Sequence, residues 1–78
     1  MKLSDLKAGE CGQVTNIIHS NPSLRKKLLD MGITKGTIIK IKKIAPFGDP
    51  ISIELRGYQL CLRKSSLEQI EVNKIWKK

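Results

Sequence analysis

The alternation of apolar and polar positions changes period along this chain, and the changes mark out its elements. Leu24, Leu28 and Met31 fall at i, i+4 and i+7, one face of a 3.6-residue helix. Asn21 stands at the N-cap position. Pro22 occupies the first helical position, where a missing N–H costs nothing and φ is already set, and Gly32 follows as the left-handed residue that ends the helix. The spacing therefore predicts a helix over residues 22–31. After a turn at Thr34-Lys35-Gly36, Ile38, Ile39 and Ile41 interleave with Lys40 and Lys42 as a strand over 37–45. Its inward set is Ile39 and Ile41, then Ile44 after a shift of phase at Lys42-Lys43 that implies a β-bulge.

Two further strands alternate cleanly. Ile51, Ile53 and Leu55 alternate with Ser52, Glu54 and Arg56, and Tyr58, Leu60 and Leu62 alternate with Gln59, Cys61 and Arg63. Gly57 permits a tight turn between them, and Tyr58, amphipathic in shape, is expected to pack inward, the alternative being a place at the barrel rim with its hydroxyl free. The run Pro46-Phe47-Gly48-Asp49-Pro50 is too dense in turn formers to be strand and reads as a hairpin loop. Residues 11–18 make a first strand in which Val14, Ile17 and Ile18 break phase, again implying a bulge. Leu3 and Leu6 form a lid over one end, Ser65-Ser66-Leu67-Glu68 has capping-box spacing for a single turn, and Ile70 with Val72 make a short last strand. Five short strands and one helix fit a small, mainly β barrel, which removes the open edges of a sheet this size. It forms one domain over residues 1–72, followed by a basic tail, 73–78, that carries Trp76 and is expected to fray.

Composition narrows what such a barrel does. Seventy-eight residues leave a modest core and no cleft between lobes, so a binding module is the natural expectation. Fifteen Lys and Arg against seven Asp and Glu give a net charge of +8, which points to an anionic partner: nucleic acid, an acidic protein face or a membrane surface. Phe47, Tyr58 and Trp76 are the only aromatic residues, so stacking platforms for bases are poorly supplied. No apolar run approaches the roughly 20 residues of a spanning helix. Asp5, Lys7 and Glu10 deny the N-terminus a signal-peptide core, and a cytoplasmic location is expected.

No catalytic chemistry stands out. The glycines are isolated turn residues without a P-loop, and no nucleophile motif or paired carboxylate arrangement is present. Arg25, Arg56 and Arg63 are available as arginine fingers in trans, but nothing singles one out. Cys11 and Cys61 are 50 positions apart without a CxxC pair or a neighbouring histidine, which reads as two reduced strand residues. His19 stands alone. Neither a metal site nor a cofactor is expected from these spacings.

Taken together, LRKKLLDMG (24–32 in reach of Gly36), the loop APFGDPI (45–51) and LRKSSLEQIEV (62–72) resemble the FeoA family, the small ferrous iron transport protein A. The resemblance covers nearly everything from residue 3 to 72 in the right order. It implies an SH3-like β-barrel with a helix inserted between early strands. It further implies a non-catalytic cytosolic accessory of FeoB, the membrane ferrous iron transporter with a cytoplasmic G-protein domain. No catalytic residues come with it. The alternative is a small basic barrel that binds nucleic acid, supported by Lys40, Lys42, Lys43, Arg63 and Lys64.

For partner binding the helix offers the sharpest candidate. With Leu24, Leu28 and Met31 inward, Leu29 falls on the opposite flank between Arg25 and Lys26, a fit for an apolar pocket with an acidic rim. The competing expectation buries Leu29 under the N-terminal lid beside Leu3 or Leu6. Phe47, at the loop tip, either anchors a partner or folds back over the core.

Overall fold

A computed structural model describes residues 1–18 and 22–75. Among them, five strands form one antiparallel sheet: β1 (Cys11–Ile17), β2 (Ile38–Ile44), β3 (Ile51–Leu55), β4 (Tyr58–Leu62) and β5 (Ile70–Ile75), in the order β4-β3-β2-β1-β5. Helix α1 (Pro22–Asp30) is inserted between β1 and β2, a one-turn helix α2 (Lys64–Leu67) precedes β5, and a 3-10 turn (Leu3–Asp5) opens the chain. The five strands and one helix are those the pattern predicted, and their arrangement is the mainly β, SH3-like barrel with an inserted helix that the resemblance implied.

Both bulges lie where the apolar phase slips. Pairing of β1 with β5 shifts between Val14 and Asn16, and pairing of β2 with β3 shifts between Ile41 and Lys43. One extra residue on a strand bends it and returns the next aliphatic side chain to the inner face. Inward rows of Ile, Leu and Val from all the strands then meet Leu3, Leu28, Ile33 and Leu67, each fully buried. Gly12 is buried for a related reason: a side chain there would sit 2.9 Å from Val72 Cγ2 and 3.0 Å from Leu6 Cδ1, so its absence lets the N-terminal turn close on the sheet.

The end of α1 is a Schellman motif. Gly32, at φ +89°, donates its N–H to the Leu29 carbonyl at 3.0 Å, and Ile33 donates to the Leu28 carbonyl at 3.0 Å. Leu28 and Ile33, brought together by that closure, are both core residues. The buried Thr37 hydroxyl donates to the Gly32 carbonyl at 3.2 Å and accepts the Thr34 N–H at 3.3 Å. The tip of the β3-β4 hairpin docks on this turn. Arg56 (φ 49°) and Gly57 (φ 84°) form the two-residue connection, the Arg56 guanidinium reaches the hydroxyls of Thr34 and Thr37, and the Tyr58 hydroxyl donates to the Met31 carbonyl.

Three expectations need correction. Tyr58 does not face the core; as the first residue of β4 it lies at the rim, 40% exposed, where its hydroxyl finds a carbonyl that the helix itself cannot satisfy. The capping box at 65–68 does not form, because α2 begins at Lys64, and its N–H is met from outside by Asp49 Oδ1 at 2.8 Å. The strand begun by Ile70 and Val72 continues through Asn73, Lys74 and Ile75, paired with Gln13, Gly12 and Cys11, into what the pattern read as tail. Ladder pairing uses backbone groups and needs no apolar side chain. Asn21, His19 and Trp76 lie outside the described residues.

Two predictions follow from these contacts. Gly32→Ala should cost about 1–2 kcal/mol, since a side chain at this φ is strained. Tyr58→Phe should cost about 1 kcal/mol by orphaning the Met31 carbonyl. In thermal unfolding each kcal/mol lowers the midpoint by about 4–8 °C for a domain of this size. Unchanged midpoints would show that the helix end does not hold the hairpin. At the other end of the sheet, Lys74 Nζ lies 2.5 Å from Glu10 Oε2 and the Lys7 N–H lies 2.6 Å from Glu10 Oε1, and these two hydrogen bonds, the Lys74 one foremost, hold the Glu10 carboxyl below its ordinary 4.5. A depressed carboxyl stabilises the fold above its unfolded pKa, and that contribution is lost as pH falls through the folded value. Lys74→Met should therefore move the Glu10 midpoint upward in an NMR titration and remove that share of the acid-side loss of stability.

Candidate partner-binding surface

Helix geometry carries the first part of the surface. With Leu28 fully buried and Leu24 and Met31 packed against the core, the 100° step per residue turns Leu29 outward. It is 40% exposed, so the structure excludes its burial beneath the N-terminal turn. Lys26 is exposed and Arg25 half-buried on the same helix. An apolar side chain thus stands among long cationic ones, within a turn of the Met31 carbonyl to which the hairpin is pinned.

The second part is the loop at 45–50. The Gly48 N–H bonds to the Ala45 carbonyl at 2.7 Å and the Ala45 N–H to the Pro50 carbonyl at 3.2 Å, which closes the loop on itself. Asp49 ties it to α2. Phe47 at its tip is 97% exposed, so it does not fold back over the core. A large apolar ring held outward on a closed loop has the form of an anchor for another surface.

The structure does not bring these two parts together. Leu29 lies at the end where the β3-β4 turn meets α1, while the Phe47 loop precedes Ile51 at the start of β3. They lie toward opposite ends of β3, whose five residues at about 3.4 Å each span roughly 17 Å.

Other exposed groups were not singled out by sequence reasoning. Ile38, 53% exposed, lies on the outer face of β2 opposite Gln13. With Ile39 and Ile41 inward the alternation already left Ile38 on the outer side, but nothing in it marked that isoleucine as a surface feature of note. Arg56 gave only a turn signal, and its reach to Thr34 and Thr37, about 20 positions earlier, leaves no local trace. Cys11 is half-buried and Cys61 exposed, both as free thiols. Among the described residues, no three His, Cys, Asp or Glu side chains converge as a metal site would require. Among the same residues, no helix is long and apolar enough to cross a membrane.

Comparison with known proteins gives this geometry a family. The model of the FeoA domain matches residues 1–74. A fusion protein of Fe(2+) transport protein A and the Fe(2+) transporter FeoB from Porphyromonas gingivalis is 31% identical over 75 residues, covering 96% of this chain and 9% of the fusion. This chain therefore spans about a tenth of that relative's length. The NMR structure of a FeoA-like protein from Clostridium acetobutylicum superposes with a TM-score of 0.91 at 38% identity, covering 100% of this chain and 90% of that one. Zinc-complexed FeoA from Stenotrophomonas maltophilia, described as a prokaryotic SH3 domain protein, superposes at 0.82 over 94% of this chain and 89% of its own. Its 24% identity bears on the fold alone. An SH3-like barrel with a helix between β1 and β2, matched over nearly its whole length by one domain family, leaves a single assignment: this chain belongs to the FeoA domain family.

Proposed function

We propose that this protein is a non-catalytic accessory of ferrous iron uptake that binds the cytoplasmic part of the FeoB transporter and modulates it from the inner face of the membrane. The observation that carries the reading is the fusion. In the Porphyromonas gingivalis relative, a segment matching 96% of this chain is part of one polypeptide with the transporter. Covalent linkage keeps two modules at high effective concentration, the arrangement expected when one works on the other. Where no such linker joins the two modules, a surface has to do its work.

Leu29 with Arg25 and Lys26 is the surface we assign to that contact, and Phe47 is a second anchor. The apolar side chain supplies desolvation, the flanking cations select an acidic rim, and the net charge of +8 speeds encounter with it. Modulation then requires only that one conformation of the transporter be bound better than another; the shift can be no larger than that difference in affinity. Neither a catalytic residue nor a cofactor enters.

Titration calorimetry against the cytoplasmic domain of the transporter, with GDP and with a non-hydrolysable GTP analogue, tests the proposal. Saturable one-to-one binding is expected, with Leu29→Asp weakening it at least tenfold while the unfolding transition stays in place. A Leu29→Asp variant that unfolds would make the residue structural. Absence of binding together with steep, salt-dependent retention on nucleic acid would transfer the function to the basic-barrel alternative.

A further inference from the structure

The two outer strands of the sheet are treated differently. Along β5 the N-terminus covers the edge: Lys2 bridges to Glu71, and the Val72 N–H bonds to the Met1 carbonyl at 2.8 Å. Along β4 nothing among the described residues pairs with the side away from β3. The two-residue turn makes Leu55 and Tyr58 a hydrogen-bonded pair, so bonding alternates from there and Tyr58, Leu60 and Leu62 face β3. The N–H and C=O groups of Gln59 and Cys61 consequently point to the open edge. Exposed edges are ordinarily blunted by charge, proline or a bulge, yet β4 reads Tyr-Gln-Leu-Cys-Leu and pairs with β3 in unbroken register.

We infer that the β4 edge is a docking site for an extended, acidic segment of the partner protein, added as a sixth antiparallel strand. The inference rests on the partner-binding reading above and names the segment's chemistry. Two observations select this occupant. Arg63 and Lys64 follow the edge and Arg56 precedes it, all exposed, and the nearby Asp49 already accepts the Lys64 N–H. A second copy paired about the centre of β4 would bring Arg56 of one chain against Arg63 and Lys64 of the other, between molecules of charge +8 each. Carboxylates at both ends of an incoming strand meet the same charges favourably.

The outer face adds selectivity. Lys43, Ser52 and Cys61 lie in one row across β2, β3 and β4. With Ala45, Pro46 and Pro50 they line a shallow, mainly apolar depression of about 230 Å³. The residue of an added strand opposite Cys61 would project on this face, beside the depression, so an apolar side chain is expected there. Main-chain hydrogen bonds supply affinity, and this position with the flanking carboxylates supplies specificity.

Proline at an edge N–H leaves the existing ladder intact but removes a bond from any added strand, which gives the test. Calorimetry with the transporter's cytoplasmic domain compares the unaltered chain with Gln59→Pro, Cys61→Pro and Cys61→Ser, with thermal unfolding as the check on folding. The expected result is a loss of at least tenfold in affinity for both proline variants, none for Cys61→Ser, and slowed amide exchange of Gln59 and Cys61 in the complex. Wild-type affinity in the folded proline variants, with those amides unprotected, overturns the inference and leaves the partner reading standing. Failure of the unaltered chain to bind overturns both. Should the proline variants fail to fold, the double variant Arg63→Glu, Lys64→Glu decides: affinity must fall at least tenfold, and unchanged affinity overturns the inference. A concentration-dependent dimer in sedimentation that Cys61→Pro dissociates assigns the edge to a second copy instead and likewise overturns it.

Discussion

A helix cannot satisfy its own last carbonyls, and in this protein the way those of α1 are satisfied sets the arrangement of everything around them. Turning the chain at Gly32 lets Gly32 and Ile33 donate back to Leu29 and Leu28. The same turn drives Ile33 into the core beside Leu28. The carbonyls farther along, of Met31 and Gly32, receive hydroxyls of Tyr58 and Thr37. One short segment therefore fixes the helix to the core, the start of β2 to the helix, and the β3-β4 hairpin to both. Leu29 takes its exposed position from this constraint, because the buried stripe that ends in the turn leaves it the opposite flank.

The sequence was most legible where burial imposes a period. Ile51, Ile53 and Leu55 can alternate only as a strand with one inner face, and the slips at Lys42-Lys43 and after Val14 could only be bulges, because a register error moves a whole aliphatic row into water. Legibility ended where a position's role depends on a distant backbone group. Tyr58 has the spacing of a core residue, but its hydroxyl is drawn to a carbonyl 27 positions earlier. The start of α2 is set by Asp49, 15 positions before Lys64, while the local serines suggested a cap at Ser65, two residues after the actual N-cap Arg63. Lys74 looks like tail until Glu10 lies beside it. In the candidate surface, the helical period was enough to bring Leu29 and its cations to one flank. The 97% exposure of Phe47 had no signal in its flanking turn residues, which are compatible with a loop folded either way.

Edges are the second organising constraint. A sheet of five strands in a chain this short either closes or leaves two rows of unpaired backbone, and closure by strands alone is incomplete here. The N-terminus completes the β5 side, where Gly12, by omitting a side chain, admits Leu6 over Val72. Stability of that side thus depends on residues before the first strand.

A barrel filled by aliphatic side chains has no interior to spare for chemistry, so whatever distinguishes this protein from other small barrels has to be written on its outside. Among the described residues its cations are spread over α1, β2, the residues after β4 and β5 itself, which produces a broad positive field and no single stripe. Such a field speeds approach to an acidic surface without fixing orientation. In the proposed contact, orientation has to come from short-range features, and the exposed apolar ones stand well apart: Leu29 near the hairpin tip, Phe47 at the far end of β3, with Ile38 on the outer face of the sheet. Separated anchors resist rotation better than a single patch of the same area, because tilting about one lifts the other from contact. Long-range attraction by many lysines and short-range registration by a few fixed apolar side chains are therefore complementary requirements, and a barrel whose loops and helix end are tied down by hydrogen bonds meets the second without depending on the first.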